Sequence, residues 1–157
     1  MGKPKPRRIP TPPAPKGVTG NRTPPRPRIL QTPSGENHLR IRLRHVDVGG
    51  PWCLTKITPE QFVDLLGRLK AFESMTYNEI FAPGKDEGKV YAVDKIPNRA
   101  ALDRLTELQL DDMTEIARLR ISGKGRLYGF APNRGPDFWV LWWDPEHEIW
   151  PSTKRNT

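Results

Sequence analysis

The chain has 157 residues, 18 prolines, one cysteine, a formal charge of +8 and a pI near 9.9. A lone cysteine, Cys53, excludes an intramolecular disulfide and fits a reducing cytoplasm. No run approaches the roughly 18 apolar residues of a membrane span, so the composition predicts a soluble protein with no membrane partner.

The excess charge lies at one end. Residues 1–35 carry eight cations and no acid, among them Arg7, Arg8, Arg26 and Arg28, whereas the rest of the chain carries 18 Lys or Arg against 18 Asp or Glu. The same 35 residues hold ten prolines and few large apolar side chains, which cannot bury enough surface to offset the entropy of ordering. The expectation is a disordered, basic, Pro-rich arm over 1–35 and a single domain over 36–157. Three roles for the arm stay open: a solubilising extension, a nonspecific arm for RNA, DNA or a ribosome, and a polyproline ligand at 24–28. It has no continuous apolar segment, so it does not read as a signal peptide.

In the domain, residues 38–48 alternate Leu39, Ile41 and Leu43 with Arg40, Arg42 and Arg44, predicting a half-buried strand with a cationic outer face. Gly49-Gly50-Pro51 breaks it, and Trp52, Cys53 and Leu54 are expected at the edge of the core. Thr58-Pro59-Glu60-Gln61 carries the capping signature of a helix start, and Phe62, Leu65, Leu66, Leu69 and Phe72 follow as one apolar stripe. Thr76 with Glu79 repeats the signature for a short second helix ended by Pro83-Gly84. A short edge strand is expected over 89–93, and a third helix capped by Asn98 carries Ala101, Leu102, Leu105 and Leu108.

Three strands, 114–122, 125–131 and 137–143, close the domain as an antiparallel meander with turns at 123–125 and 133–136. The fold class is therefore α+β: an antiparallel sheet, made of the N-terminal strand and the C-terminal meander, packed against two to three helices. Residues 138–143 are apolar on both faces, the pattern of a strand covered on both sides; Trp143 and Trp150, at its end and beyond, are the tryptophans expected near a ligand.

The feature with most chemical content is one-sided charge. Arg40, Arg42 and Arg44 share one parity, and so do Arg118, Arg120, Lys124 and Arg126. If the two strands are neighbours, they create a basic sheet face suited to phosphate. Gly123-Lys124-Gly125-Arg126 lacks the length and terminal Lys-Ser/Thr of a phosphate-binding loop and reads as a hairpin turn. Asp144, Glu146, His147 and Glu148 lack a nearby second histidine or cysteine, so no metal site is expected, and no cofactor. Cys53 beside Trp52 reads as a buried thiol, not a nucleophile.

The order of elements, the arginine-bearing middle strand and His147 near the C-terminus resemble the RelE-type endoribonuclease toxins. That resemblance implies a metal-independent RNA endonuclease of a bacterial cytoplasm, with RNA or the ribosome as target and an antitoxin as partner. It implies His147 as acid or base, Arg118, Arg120, Lys124 and Arg126 on phosphate, and Glu115 or Tyr128 as proton carriers. His147, Arg120, Arg126 and Glu115 form the candidate catalytic set; with the one-sided cations and the arm included, Arg40, Arg42, Arg44, Arg118, Lys124, Tyr128, Arg7, Arg8, Arg26 and Arg28 form the candidate nucleic-acid-binding set. The chain departs from one branch of the family in having Glu148 and Ile149 where a tyrosine often follows the terminal histidine. The Gly49–Leu54 element and the Trp142–His147 strand end also resemble small bacterial and phage proteins, which implies no particular activity. The alternative is therefore a noncatalytic phage or mobile-element accessory protein that binds nucleic acid or a host protein.

Overall fold

A computed structural model describes residues 37–153 of the chain. The arm, with Arg7, Arg8, Arg26 and Arg28, lies outside the described residues.

The domain is α+β: one five-stranded sheet and three helices. The strands are β1 (Arg40–Arg42), β2 (Gly88–Ala92), β3 (Glu115–Arg120), β4 (Arg126–Phe130) and β5 (Asp137–Asp144), in spatial order β1-β5-β4-β3-β2. β2 to β5 pair antiparallel, while β1 runs parallel to β5, so the sheet is mixed. A parallel partner needs a crossover, and the two helices after β1 provide part of it. β5 is an interior strand, which is why both of its faces are apolar.

The N-terminal strand is shorter than the 38–48 alternation suggests. The chain turns after Leu43, with the Val46 amide donating to the Leu43 carbonyl at 3.1 Å. It then rejoins β5 further along, where the Asp47 amide donates to the Leu141 carbonyl at 3.0 Å and the Trp143 amide to the Trp52 carbonyl at 2.9 Å. Leu43 points outward instead of continuing the core face.

Helix α1 (Pro59–Phe72) begins with a complete capping box between Thr58 and Gln61, and α2 (Tyr77–Phe81) with one between Thr76 and Glu79. α3 (Arg99–Glu107) is capped by the Asn98 side chain, which accepts from the Ala101 amide. Of the α1 stripe, Leu65 and Phe72 are buried and Leu69 is partly covered, but Phe62 and Leu66 are each 45% exposed. The buried stripe is therefore narrower than its sequence spacing implies.

The sheet separates two apolar clusters. On one face Leu39, Phe138, Val140, Trp143, Leu119 and Leu127 pack under α1 and α2. On the other, Ile116, Phe130, Leu141 and Trp142 pack with Trp52, Ile149 and, from α3, Ala101 and Leu105. Trp143, expected near a ligand, is instead 2% exposed in the first cluster. Cys53 is a buried free thiol, its Sγ 2.8 Å from Thr55 Oγ1. No helix among the described residues is long and apolar enough to cross a membrane.

Candidate anion-binding site

Strand alternation and register place the site. Arg118 pairs with Tyr128, and Arg120 with Arg126, across β3 and β4, so these four residues share one face. Lys89 on β2 stands opposite Arg118, and Trp142 and Asp144 on β5 stand opposite Tyr128 and Arg126. This is the α3 face, in the part lying beyond the α3 cluster.

The arginines here are not ordinary surface cations. Arg118 and Arg126 are each 6% exposed, and neither is in an ion pair among the described residues. One Arg126 nitrogen, Nη1, donates to the Ser122 and Gly125 carbonyls at 2.9 and 3.0 Å, which ties the guanidinium to the 122–125 hairpin turn. Burial, followed by the positive charge of Arg118 and Arg120, lowers the Arg126 pKa. Tyr128 is fully buried, and burial together with the Asp144 charge pushes its phenol upward.

His147 completes the group. Asp144, itself fully buried, accepts from the Glu148 and Ile149 amides at 2.9 Å each, closing the loop that carries the histidine. Glu148 is fixed again by Trp52 Nε1 on its side chain at 3.3 Å and by Asn98 Nδ2 on its carbonyl at 3.1 Å. Within this frame His147 takes a left-handed backbone, φ 60°. A non-glycine residue there is strained by about 1–2 kcal/mol, and such strain persists only where the surroundings over-determine it. Burial, then Arg126 and Arg118, lower the His147 pKa against an opposing effect of Asp144, so the imidazole is neutral at physiological pH.

Buried polar atoms nearly always find partners. Among the described residues four buried side-chain atoms have none: Arg118 Nε, Arg126 Nε, Tyr128 Oη and His147 Nδ1. All four belong to this one patch. Two buried guanidiniums outside any ion pair among the described residues, a buried phenol and an unpaired imidazole nitrogen together make a donor-rich patch of the kind that suits an anion with several acceptor oxygens.

The other sequence candidates fall elsewhere. Arg120 is on the same face but half-exposed, 3.9 Å from Asp86. Lys124 extends from the turn to Glu146 at 3.0 Å. Arg40 and Arg42 both contact the Asp137 carboxylate, at 3.2 and 2.8 Å, and β5 and β4 separate their strand from β3. The two cationic strands are therefore not neighbours, and Arg40 and Arg42 are partly neutralised. Arg44 is exposed in the turn after β1. Glu115 shares the parity of Ala117 and Leu119, which puts it on the α1 face, 3.7 Å from Arg134. It is thus on the opposite side of the sheet from His147.

Sequence reasoning missed Asp144 as the organiser of the His147 loop, Lys89 as a flanking cation, and Tyr91. Asp144-Pro145 does signal a turn; nothing in the spacing signals that its carboxylate caps two amides. Among the described residues no three His, Cys, Asp or Glu side chains converge to hold a metal. A cavity of about 580 Å³ beside α3 is lined by Asp94, Asp103, Asp111 and Asp112 with Arg99, and it holds no residue of the arginine patch.

Fold and site together define an α+β protein with a partly buried cationic cluster on one face of a mixed sheet. No family model, no curated protein and no solved structure matches the chain.

Proposed function

We propose that this protein is an RNA-directed, metal-independent endoribonuclease of the RelE-like kind, with the scissile phosphate held by Arg118 and Arg126. The observation that carries this reading is the convergence, among the described residues, of the four unpartnered buried polar atoms on one patch that includes His147.

The chemistry follows from the groups present. A phosphodiester presents two non-bridging oxygens, and the two guanidiniums supply donors for both while neutralising the charge that develops as phosphorus becomes five-coordinate. Neutral His147 takes the proton of the RNA 2′-hydroxyl as its oxygen attacks phosphorus. The O2′–P bond forms and the P–O5′ bond breaks, leaving a 2′,3′-cyclic phosphate and a 5′-hydroxyl. Tyr128, held well above neutrality, is a hydrogen-bond donor to phosphate and not a proton source, so the leaving oxygen takes its proton from water. Lys89 and Arg120 at the rim guide the strand in.

Incubation of the full chain with a labelled single-stranded RNA tests the reading. The expected products end in 2′,3′-cyclic phosphate, a substrate with 2′-deoxy sugars is not cut, and expression of the wild type arrests growth while His147→Ala does not. Tight, salt-dependent RNA binding without cleavage would favour a noncatalytic accessory protein, and no binding at low salt would defeat both readings.

A further inference from the structure

Tyr91 lies on the same face of the sheet as Arg118, on the edge strand β2. Its ring stacks on Trp150 with centroids 4.0 Å apart and planes 15° from parallel. The other aromatic pairs among the described residues are tilted by 57°, 53° and 33°. Tyr91 and Trp150 are both partly buried, packed against the edge of the apolar cluster beneath them. Trp150 is nonetheless positioned, because Asp144 fixes the amide of the preceding residue, Ile149. Arg118 Cζ sits over the Tyr91 ring, 5.8 Å from its centroid. One guanidinium therefore touches both the unpartnered cluster and the stacked rings.

From this juxtaposition we propose that Tyr91 and Trp150 form a platform on which one base of a single-stranded RNA stacks, adjacent to the phosphate gripped by Arg118 and Arg126. The inference rests on the reading of the arginine cluster as a phosphate site and adds what that site selects. A base inside a duplex has both faces covered, so the platform admits only unpaired nucleotides. Stacking on aromatic rings tolerates any base, with a modest gain for the larger purines.

The test uses the full chain and non-cleavable 2′-O-methyl RNA oligonucleotides, each carrying either an abasic site or 2-aminopurine at one position in turn. In the wild type, one abasic position weakens binding by about five- to 100-fold, and 2-aminopurine at that position is quenched on binding. Trp150→Ala loses both the discrimination and the quenching, and Trp150→Phe keeps most of each. Arg118→Met weakens the intact and abasic oligonucleotides by the same factor. If no abasic position matters in the wild type, or if folded Trp150→Ala discriminates as the wild type does, the platform is wrong while the phosphate site stands. If Arg118→Met and Arg126→Met bind every oligonucleotide as tightly as the wild type, the phosphate reading itself fails. The wild-type comparison across positions decides the matter even if Trp150→Ala does not fold.

Discussion

Arg104 on α3 grips Asp47 through two nitrogens, Nε and Nη2, each 2.8 Å from a carboxylate oxygen. The carboxylate also accepts from the amides of Gly49 and Gly50 and from Trp142 Nε1, all at 3.0 Å, and its side chain is 1% exposed. Asp47 thus ties the turn after β1, the third helix and the indole that stands opposite Tyr128 in the floor of the site. Removing it leaves the Trp142 indole and the Gly49 and Gly50 amides without their acceptor, and Arg104 with Glu107 alone. Asp47→Ala is expected to cost about 1–3 kcal/mol, measured by urea denaturation, since it leaves a buried indole donor unsatisfied.

The same pair sets an acid limb of stability. The Arg104 hydrogen bond, against a smaller opposing effect of burial, holds the Asp47 carboxyl far below the ordinary aspartate value of about 3.9. A depressed folded-state pKa contributes stability that is complete above the unfolded value and is lost as pH falls toward the folded one. Wild-type stability should therefore fall steeply below about pH 4, and Asp47→Asn, less stable at neutral pH, should show a shallower fall over that window. Parallel slopes would remove Asp47 as the source.

Gly50 is where the backbone approaches this hub most closely. A Cβ there would stand 2.7 Å from Arg104 Nε and closer still to the Asp47 carboxylate. Gly50→Ala has to push one of the two ions from its partner, so a loss of about 2–3 kcal/mol is expected in the same denaturation assay. Gly67→Ala, on the open surface of α1 with no atom within 4 Å, should be neutral or slightly stabilising.

Which parts of this were legible in the sequence follows from the range of the interactions. The helix starts were readable because a capping box is a contact between residues three apart, as at Thr58–Gln61 and Thr76–Glu79. The meander and its turns were readable for the same reason. The parallel pairing of β1 with β5 was not, because it joins Arg40 to Asp137 across almost the whole domain and leaves no local mark. Asp47 looked like one more polar residue on an alternating strand, yet its partner is 57 positions away. Parity put Arg118, Arg120 and Arg126 on one face correctly. It could not reveal that two of them are buried outside any ion pair, since that depends on Asp144 being turned to the Glu148 and Ile149 amides. Glu115 entered the candidate set through the family resemblance, and its parity with Ala117 places it on the other face.

The strain at His147 makes a prediction that separates folding from function. At φ 60° an alanine suffers the same backbone cost as histidine, whereas glycine does not. His147→Gly should therefore be more stable than His147→Ala by about 1 kcal/mol, the glycine's greater unfolded-state entropy offsetting part of the relief. On the endoribonuclease reading proposed above, both variants should lose about 10²- to 10⁴-fold in RNA cleavage, the span expected for loss of a general base. In the wild type, cleavage should decline on acidification only below about pH 6.5, because burial and the two arginines keep the imidazole neutral above that point. A limb centred above pH 7 would mean that another group accepts the proton.

Arg118 and Arg126 carry the last prediction. Each is a buried cation next to another, and Arg118 together with Arg120 lowers the Arg126 pKa after burial itself. Such a charge costs stability unless an anion joins it. In the absence of ligand, Arg118→Met should therefore be at least as stable as the wild type, by up to about 1 kcal/mol, although it removes a large polar side chain from a core strand. Inorganic phosphate should reverse the order. At ten times its dissociation constant it stabilises the wild type by about 1.4 kcal/mol, or about 5 °C in Tm, and should leave Arg118→Met and Arg126→Met unmoved. Sodium chloride at matched ionic strength controls for screening. If phosphate raises the Tm of all three proteins equally, the anion binds elsewhere, and the four unpartnered atoms are then a cost the fold carries without using them.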